Sequence, residues 1–316
     1  MSENNELNFK SESEQKVTER YLNAVNNFIE TVKKDVNVIA VIIAGSLAND
    51  VVWEKSDIDA MVIVRDQKIS VPEFCIDADG IVLNMKVVER SSFVRSLERQ
   101  DWFASSFMSK AQVMYTTDDS IIQMAEQAKT VGEKDAQKSA MFAACDAVCM
   151  LEKAGKWLYV KKDYTYCRYY IIKIAESFAN LEIWKTKEAP GREMLQRAHV
   201  LNPELINRFY YYPMNNQLKD TELEGLLKEA DDYLMKNIDY ISAPVLDFLD
   251  DGNSGDIKTL TMFYRHFHTG GHFLVHLLEY LASKGIIGQV GETIRLTPKS
   301  RPNLEEIAFM SMNKLK

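Results

Sequence analysis

The sequence has few cysteines, glycines and prolines, and each shortage excludes a class of protein. Four cysteines in 316 residues are too few for a disulfide-stapled scaffold, so we expect a reducing, cytoplasmic compartment. With 13 glycines and 7 prolines, the chain is neither collagen-like nor a Gly/Pro-rich disordered protein. It has no apolar run of 18 residues, and residues 1–14 lack the apolar stretch of a secretory signal. No membrane segment is therefore predicted.

An excess of basic charge is also missing. The chain has 38 Lys and Arg residues against 46 Asp and Glu residues, a net charge of −8. This balance argues against a protein that binds nucleic acid through a broad basic face. We expect an anionic ligand to be met by a local device instead, such as a helix N-terminus, a metal ion or a few lysines and arginines.

The apolar residues, 46 % of the chain, follow three successive patterns. Residues 15–130 form a mixed α/β domain with the predicted order helix 15–34, strands 36–44 and 58–64, hairpin 74–89, helix 91–100, strand 111–116 and helix 119–130. Residues 134–242 have only helical periodicity, at 141–153, 166–186, 194–200, 205–211 and 222–240. Residues 243–316 predict a helix at 244–249, two further helices, the second running to 283, and a hairpin at 285–296. This last order is typical of a winged helix.

One stretch of the first domain carries residues that point to chemistry. A buried strand ends at Gly45-Ser46, ten residues intervene, and Asp57-Ile58-Asp59 opens the next strand. Residues two apart in a strand share a face, so the two carboxylates lie side by side and repel each other unless a cation binds. All-oxygen ligation suits Mg²⁺. Gly45 permits close approach of a ligand, and Ser46 can donate to phosphate oxygens. The pattern predicts a site for a metal-bound nucleoside triphosphate.

Gly45-Ser46 and Ser56-Asp57-Ile58-Asp59 resemble, in type and spacing, the motif of the DNA polymerase β-like nucleotidyltransferase superfamily, in particular its aminoglycoside and lincosamide nucleotidyltransferases. The resemblance covers residues 36–93. With its helical domain and terminal winged helix, the chain is similar to the YgxA-like nucleotidyltransferases. The resemblance implies attack of an acceptor hydroxyl on the α-phosphorus of an NTP, with pyrophosphate leaving. It also implies Mg²⁺ or Mn²⁺ bound by Asp57 and Asp59, and nucleotide contacts from Gly45, Ser46 and Ser56.

The chain departs from this superfamily at two positions. Asp50 stands where members have a glycine, and the third carboxylate expected on a neighbouring strand is absent. The residue at that position is Asn84, with Lys86 on the same face. Asn84 can offer a carbonyl oxygen but is neither an anion nor a base. The acids nearby in sequence are Asp77, Asp79 and Glu89, which we expect to be solvated.

Other clusters admit a functional and a structural interpretation. Arg168 and Lys173, in a stretch rich in tyrosine, can offset triphosphate charge, and with Tyr164 they can line the acceptor site; tyrosines at helical spacing also pack. Four histidines can bind a transition metal or lie at a domain interface; they are His266, His268, His272 and His276. Cys145 and Cys149 suit a helix core.

The C-terminal segment bears on the partners. Residues 241–316 contain eight basic and eight acidic residues, and the helix that would read DNA, near 271–283, has no Lys or Arg. Its apolar character favours packing on another domain or on the second subunit of a homodimer.

The sequence therefore predicts an enzyme that transfers NMP, AMP in the first instance, from Mg-NTP to a hydroxyl on a small molecule or protein. It predicts no nucleic-acid or membrane partner. Two alternatives stay open: a nucleotide-sensing protein without turnover, and a winged-helix regulator that binds nucleic acid.

Overall fold

The chain divides into two units, Met1–Thr130 and Val131–Lys316. The computed structural model describes residues 14–44, 56–98, 107–108, 111–129, 131–252, 257–269, 273–297, 299 and 304–312. Across these ranges, no helix combines the length and the apolar character needed to cross a membrane.

The first unit is an α+β fold built on a five-stranded mixed sheet. Its elements are α1 (Glu14–Val32), β1 (Val38–Ala44), β2 (Ile58–Val64), β3 (Glu73–Ala78), β4 (Ile81–Glu89), α2 (Arg90–Glu98), β5 (Gln112–Thr116) and α3 (Asp119–Ala128). The strand order is β3-β4-β2-β1-β5. β2 and β4 are parallel, and the other neighbours are antiparallel. Each predicted element of this unit is present, with bounds that shift by at most two residues.

The two faces of the sheet bury different side chains. Val41, Ile43 and Val62 pack with residues of α1, whereas Ile42, Met61 and Ile63 pack with residues of α2 and α3. This is why β1 is apolar at every position: it lies in the middle of the sheet and is covered on both faces.

The β3–β4 hairpin turns where the sequence predicts. Asp79 and Gly80 both have positive φ, 54° and 80°, the conformation that a two-residue type I′ turn requires. Asn27 of α1 donates to Asp79 Oδ2 at 2.7 Å, which ties the turn to the helix.

The second unit is mainly helical. Its helices are α4 (Glu133–Gly155), α5 (Tyr164–Lys185), α6 (Met194–Leu201), α7 (Pro203–Ile206), α8 (Tyr212–Asn215), α9 (Asp220–Lys236), α10 (Ile238–Asp250), α11 (Leu260–Phe267) and α12 (Phe273–Ser283). Two π-helical turns, Lys156–Lys161 and Asn207–Tyr211, adjoin them. The helix predicted over 222–240 is divided, because the backbone leaves helical geometry at Asn237 (φ −103°, ψ 11°). The helix predicted at 244–249 lies inside α10.

The hairpin predicted within 285–296 is wrong. Residues Ile287–Ile294 form one strand, β7, which pairs with β8 (Leu304–Ser311); β6 (Ile257–Thr259) pairs with the other edge of β8. Gly285 has positive φ and turns the chain into β7, but Gly288 and Gly291 lie inside the strand. Gly291 pairs with Ile307 of β8, so it belongs to the ladder and not to a turn.

The larger of two buried clusters in the described part of the second unit joins its helices to its C-terminal strands. This cluster contains Ala140 of α4, Phe263 of α11, Leu274 of α12 and Phe309 of β8. The division of this unit into domains 134–242 and 243–316 stays a prediction, as does the winged helix.

Lys258 of β6 is a charged side chain that is completely buried in this core. Its Nζ lies 2.8 Å from Asp251 Oδ1 and 5.3 Å from the centroid of the Phe248 ring. A buried ammonium is tolerated only when a carboxylate or other acceptor satisfies it.

We expect Lys258→Ala to lower the free energy of unfolding by about 3 kcal/mol, because it removes a completely buried side-chain stem and leaves a cavity beside Phe248. Urea unfolding followed by circular dichroism measures the change. Lys134→Ala is the control, since the Lys134 side chain is 88 % exposed and its Nζ lies 3.6 Å from Asp247 Oδ2; its effect should stay below about 1 kcal/mol. Equal effects of the two variants would contradict the prediction.

Candidate functional site

The two aspartates lie at the beginning of β2. Asp57 immediately precedes the strand and is exposed, Ile58 is fully buried, and Asp59 is half-buried. Because side chains alternate across a strand, the burial of Ile58 on one face directs both carboxylates to the other. This local arrangement is the one that the Asp-x-Asp spacing predicts.

The neighbouring strand β4 supplies the third side chain. In the parallel pairing of β2 with β4, Asp59 lies beside Asn84 and Met61 beside Lys86. Asn84 Nδ2 donates to Asp57 Oδ2 at 2.6 Å. The structure therefore brings Asp57, Asp59 and Asn84 together, in the strand register that the sequence predicts.

This sheet face is divided into an apolar and a polar part. Met61 and Ile63 of β2 pack against a cluster that includes Phe93 of α2 and Ile121 of α3. Asp59 shares their face, nearer the beginning of the strand. The apolar part packs the sheet against its helices, while the polar part carries the oxygen- and nitrogen-bearing side chains of Asp57, Asp59 and Asn84.

The backbone before Asp57 is fixed by a contact that the sequence did not reveal. Tyr21 of α1 is 1 % exposed, and its hydroxyl donates to the carbonyl oxygen of Ser56 at 2.6 Å. Sequence periodicity places Tyr21 on the apolar face of a helix, and no local signal shows that its hydroxyl reaches Ser56. The contact positions the segment from which Asp57 projects.

The acids considered as substitutes for a third carboxylate have local partners. Asp77 Oδ1 accepts from the backbone of Gly80 at 2.6 Å, Asp79 accepts from α1, and Glu89 Oε2 accepts from Ser92 Oγ at 3.4 Å. Among the residues that the structure describes, no group of three or more His, Cys, Asp or Glu side chains is arranged to hold a metal ion.

The donor set fits one hard cation shared with a ligand. Two carboxylates two residues apart, with an amide beside them, supply oxygen ligands of the kind that Mg²⁺ and Mn²⁺ prefer, and Mg²⁺ commonly takes one or two carboxylates plus phosphate oxygens. A second cation at this site would need a further anionic ligand. The Lys86 ammonium, whose Nζ lies 3.9 Å from Glu73 Oε1, adds positive charge on the same face.

The remaining predicted residues either fall outside the described residues or belong to the second unit. Gly45, Ser46 and Asp50 are outside the described residues. Arg168 and Lys173 belong to α5 of the second unit, where Arg168 Nη1 donates to the Asn216 carbonyl at 2.9 Å. Lys173 Nζ lies 2.7 Å from Glu176 Oε2, and this hydrogen bond raises the pKa of Lys173. Their part in nucleotide binding stays a prediction.

His266, His276 and Cys145 lie in surroundings that suit a structural role. His276 Nδ1 lies 2.8 Å from Glu152 Oε2, and His266 stacks on Phe248 with ring centroids 4.0 Å apart. Burial lowers the pKa of His266. Cys145 is buried, and burial raises the pKa of its thiol. His272 is outside the described residues.

Comparison with known proteins supports the fold. The chain matches no family model and no curated protein sequence. In structure it is similar to a nucleotidyltransferase-like protein from Exiguobacterium sibiricum 255-15, with a TM-score of 0.61, 11 % sequence identity, and coverage of 92 % of this chain and 98 % of that one. The chain thus has a nucleotidyltransferase-like fold.

The contact between Asn84 and Asp57 yields a test that needs no substrate. Asn84→Asp replaces an amide donor 2.6 Å from Asp57 Oδ2 with a like charge, so the metal-free variant should melt below the parent. A divalent cation relieves the repulsion. We expect millimolar Mn²⁺ to stabilise the variant by about 1–3 kcal/mol more than it stabilises the parent, as a ligand in large excess over its dissociation constant does.

Differential scanning calorimetry with and without Mn²⁺ measures both effects. Val71→Asp is the matched control, since Val71 is 50 % exposed and lies outside the strands, so it adds the same charge away from the site. If Mn²⁺ stabilises the two variants equally, Asn84 does not lie in a cation site.

Proposed function

We propose that the protein is a nucleotidyltransferase, which transfers NMP, AMP in the first instance, from a metal-bound NTP to a hydroxyl acceptor. One observation carries the proposal: Asp57, Asp59 and Asn84 come together on one face of the sheet of a nucleotidyltransferase-like fold. The fold by itself would leave the chemistry open, because one fold can host many functions. The Asp-x-Asp pair at the beginning of β2 is what points to a metal-dependent reaction.

The residues have distinct roles in this proposal. Asp57 and Asp59 hold one Mg²⁺ or Mn²⁺, whose charge, when bound, offsets that of the triphosphate. Gly45, Ser46 and Ser56 lie beside the phosphates, and Arg168 and Lys173 supply positive charge to the nucleotide.

In this reaction a bond forms between the acceptor oxygen and the α-phosphorus. The bond that breaks joins the α-phosphorus to the oxygen that bridges the α- and β-phosphates. Pyrophosphate leaves. The acceptor proton passes to a triphosphate oxygen, since Asn84 cannot take it.

Asn84 limits the rate that this site can reach. Phosphoryl transfer depends on positioning and charge stabilisation, and an amide in place of a carboxylate removes one anionic contribution. An increase of several kcal/mol in the barrier is consequential, because each 1.4 kcal/mol is about tenfold in rate. We therefore propose slow or conditional turnover that improves with Mn²⁺, which tolerates neutral ligands better than Mg²⁺.

The same observation favours a second candidate function. A site with two carboxylates and an amide retains the means to bind a metal–nucleotide complex without the means to activate an acceptor. The protein would then sense nucleotide and not turn it over.

We also propose that residues 134–242 form a helical acceptor-binding domain, with Tyr164 as one of its contacts, and that residues 243–316 form a winged-helix-like domain. The element order α10-β6-α11-α12-β7-β8, with a three-stranded antiparallel sheet, supports the winged helix. The apolar α12 shares a buried core with α4, and a homodimer is proposed as the oligomeric state.

The nucleotide site is tested by removing both carboxylates. Asp57→Asn combined with Asp59→Asn should abolish Mg-ATP binding in calorimetric titration, because the metal no longer has its anionic ligands. Asp119→Asn combined with Asp239→Asn is the control, since both aspartates are exposed first-turn residues of helices and the net change in charge is the same. Unchanged affinity in the first variant would place the site elsewhere.

Turnover distinguishes the two candidate functions. We expect incubation of the parent with α-labelled ATP, Mn²⁺ and a cell extract to label an acceptor slowly, and Asn84→Asp to increase label transfer and pyrophosphate release by at least about tenfold, the equivalent of 1.4 kcal/mol. Brisk turnover by the parent would show that the missing acid lies elsewhere. Nucleotide binding without transfer by either protein would establish the sensing function.

A further inference from the structure

A second surface of the molecule combines exposed aromatic rings with positive charge. Residues 153–170 contain six aromatic residues, five Lys or Arg residues and one acid, within a chain of net charge −8. The segment runs from the end of α4 through the π-helical turn Lys156–Lys161 into the beginning of α5. We call it the aromatic–basic surface.

The rings of this surface form a connected row. Trp157 and Tyr166 have centroids 4.5 Å apart, Tyr166 and Tyr169 are 5.7 Å apart, and Tyr169 and Tyr170 are 5.4 Å apart. Lys153 Nζ lies 5.9 Å from the Tyr170 centroid. Although these rings touch one another, Tyr166 and Tyr169 remain 45 % and 48 % exposed. Contiguous exposed aromatic area of this kind marks an interaction site.

The backbone is bent to build the row. Lys162 follows the π-helical turn with φ 55°, a left-handed conformation that is costly for a lysine. The Asp163 amide donates to the Trp157 carbonyl at 3.1 Å, and the Asp163 carboxylate accepts from the Tyr166 amide at 2.9 Å. These bonds bring Trp157 to Tyr166. π-Helical turns and strained backbone occur frequently at functional sites.

Three acids lie beside the five cations of this surface, and each contacts a neighbouring group, so the local balance stays positive. Asp163 caps α5, Glu152 Oε2 lies 2.8 Å from His276 Nδ1, and Glu224 accepts from the Tyr159 hydroxyl at 3.1 Å. Lys156 and Lys161 are exposed, and within the described part of the chain neither forms an ion pair.

We propose that the aromatic–basic surface binds single-stranded nucleic acid. A nucleotide carries one planar base and one phosphate, and this surface offers aromatic rings and cations in nearly equal number. Unpaired bases stack on aromatic side chains while lysines contact the phosphates. A duplex keeps its bases stacked on one another, and an acidic peptide has charge without a planar ring for each unit. The net charge of −8 argues against a broad basic face, but it is compatible with a local cluster of lysines and arginines. Tyr164 and Arg168 belong both to this surface and to the contacts proposed above for nucleotidyl transfer, but binding of the strand requires neither Asp57 nor Asp59.

Fluorescence anisotropy of the full chain with a labelled oligodeoxythymidylate of about 12 nucleotides tests the proposal, at about 50 and 200 mM salt. Tyr166→Ala combined with Tyr169→Ala should weaken binding by about 10- to 100-fold, the range expected when stacking is removed. Lys156→Gln combined with Lys161→Gln should weaken it and lower the salt dependence, by a slope of about 0.7 for each phosphate that is no longer neutralised. Tyr159→Ala, at the most exposed ring, is a second test should the double tyrosine variant fold poorly.

The controls are Tyr211→Ala and Lys134→Gln, which remove an exposed ring and an exposed cation outside this surface; both should bind as the parent does. The Asp57→Asn, Asp59→Asn variant should also bind the oligonucleotide normally, so that the two proposals fail separately. No binding at about 50 mM salt, or unchanged binding by the tyrosine variants, would overturn the proposal. Equal binding of a duplex, or displacement by polyglutamate at equal charge, would overturn it too.

Discussion

The parallel pairing of β2 with β4 is the constraint on which the candidate site depends. It sets Asp59 beside Asn84, and a slip of one residue would turn Asn84 to the opposite face. The register is held by apolar burial, because Ile58 and Leu83 are paired neighbours and both are fully buried. The core on one face thus determines which polar groups meet on the other. Tyr21, by binding the Ser56 carbonyl, fixes the backbone where this face begins.

The choice of side chains at the candidate site affects both the stability of the metal-free protein and the negative charge that the site offers to a metal ion. Three carboxylates in one place would repel one another strongly without a cation, whereas an amide that donates to Asp57 stabilises the pair of acids in the metal-free protein. With an amide at position 84, the site also lacks the anionic ligand and the base that a carboxylate there would supply. The amide therefore favours the metal-free fold, and under the proposed nucleotidyl transfer it lowers the catalytic power of the site. At Asn84, the proposed function therefore combines a more stable metal-free protein with a slower reaction.

Much of the first unit could be predicted from the sequence because its signals are local. β2 begins and ends at the predicted residues, and the Asp79-Gly80 turn follows from the backbone freedom of this dipeptide. The position of Asn84 came from the resemblance to the superfamily, and in the structure Asn84 pairs with Asp59. The hairpin at 285–296 was wrong because the partner of β7 lies beyond Ile294, at Leu304–Ser311, and apolar alternation does not name a strand's partner. The contact of Tyr21 with Ser56 is equally non-local.

The net charge of the chain and the charge of residues 153–170 suggest different binding partners. Which of the two charges a ligand experiences depends on its distance from the charged groups. Charges separated by more than about 8 Å are largely screened at physiological ionic strength. A ligand on residues 153–170 therefore responds to the five cations of that segment and to the acids beside them, Glu152, Asp163 and Glu224, far more than to the net charge of −8. Aromatic stacking is not screened by salt in this way. A chain that is acidic overall can hold an anion with planar groups wherever rings and lysines are concentrated, and the bend at Lys162 concentrates them here.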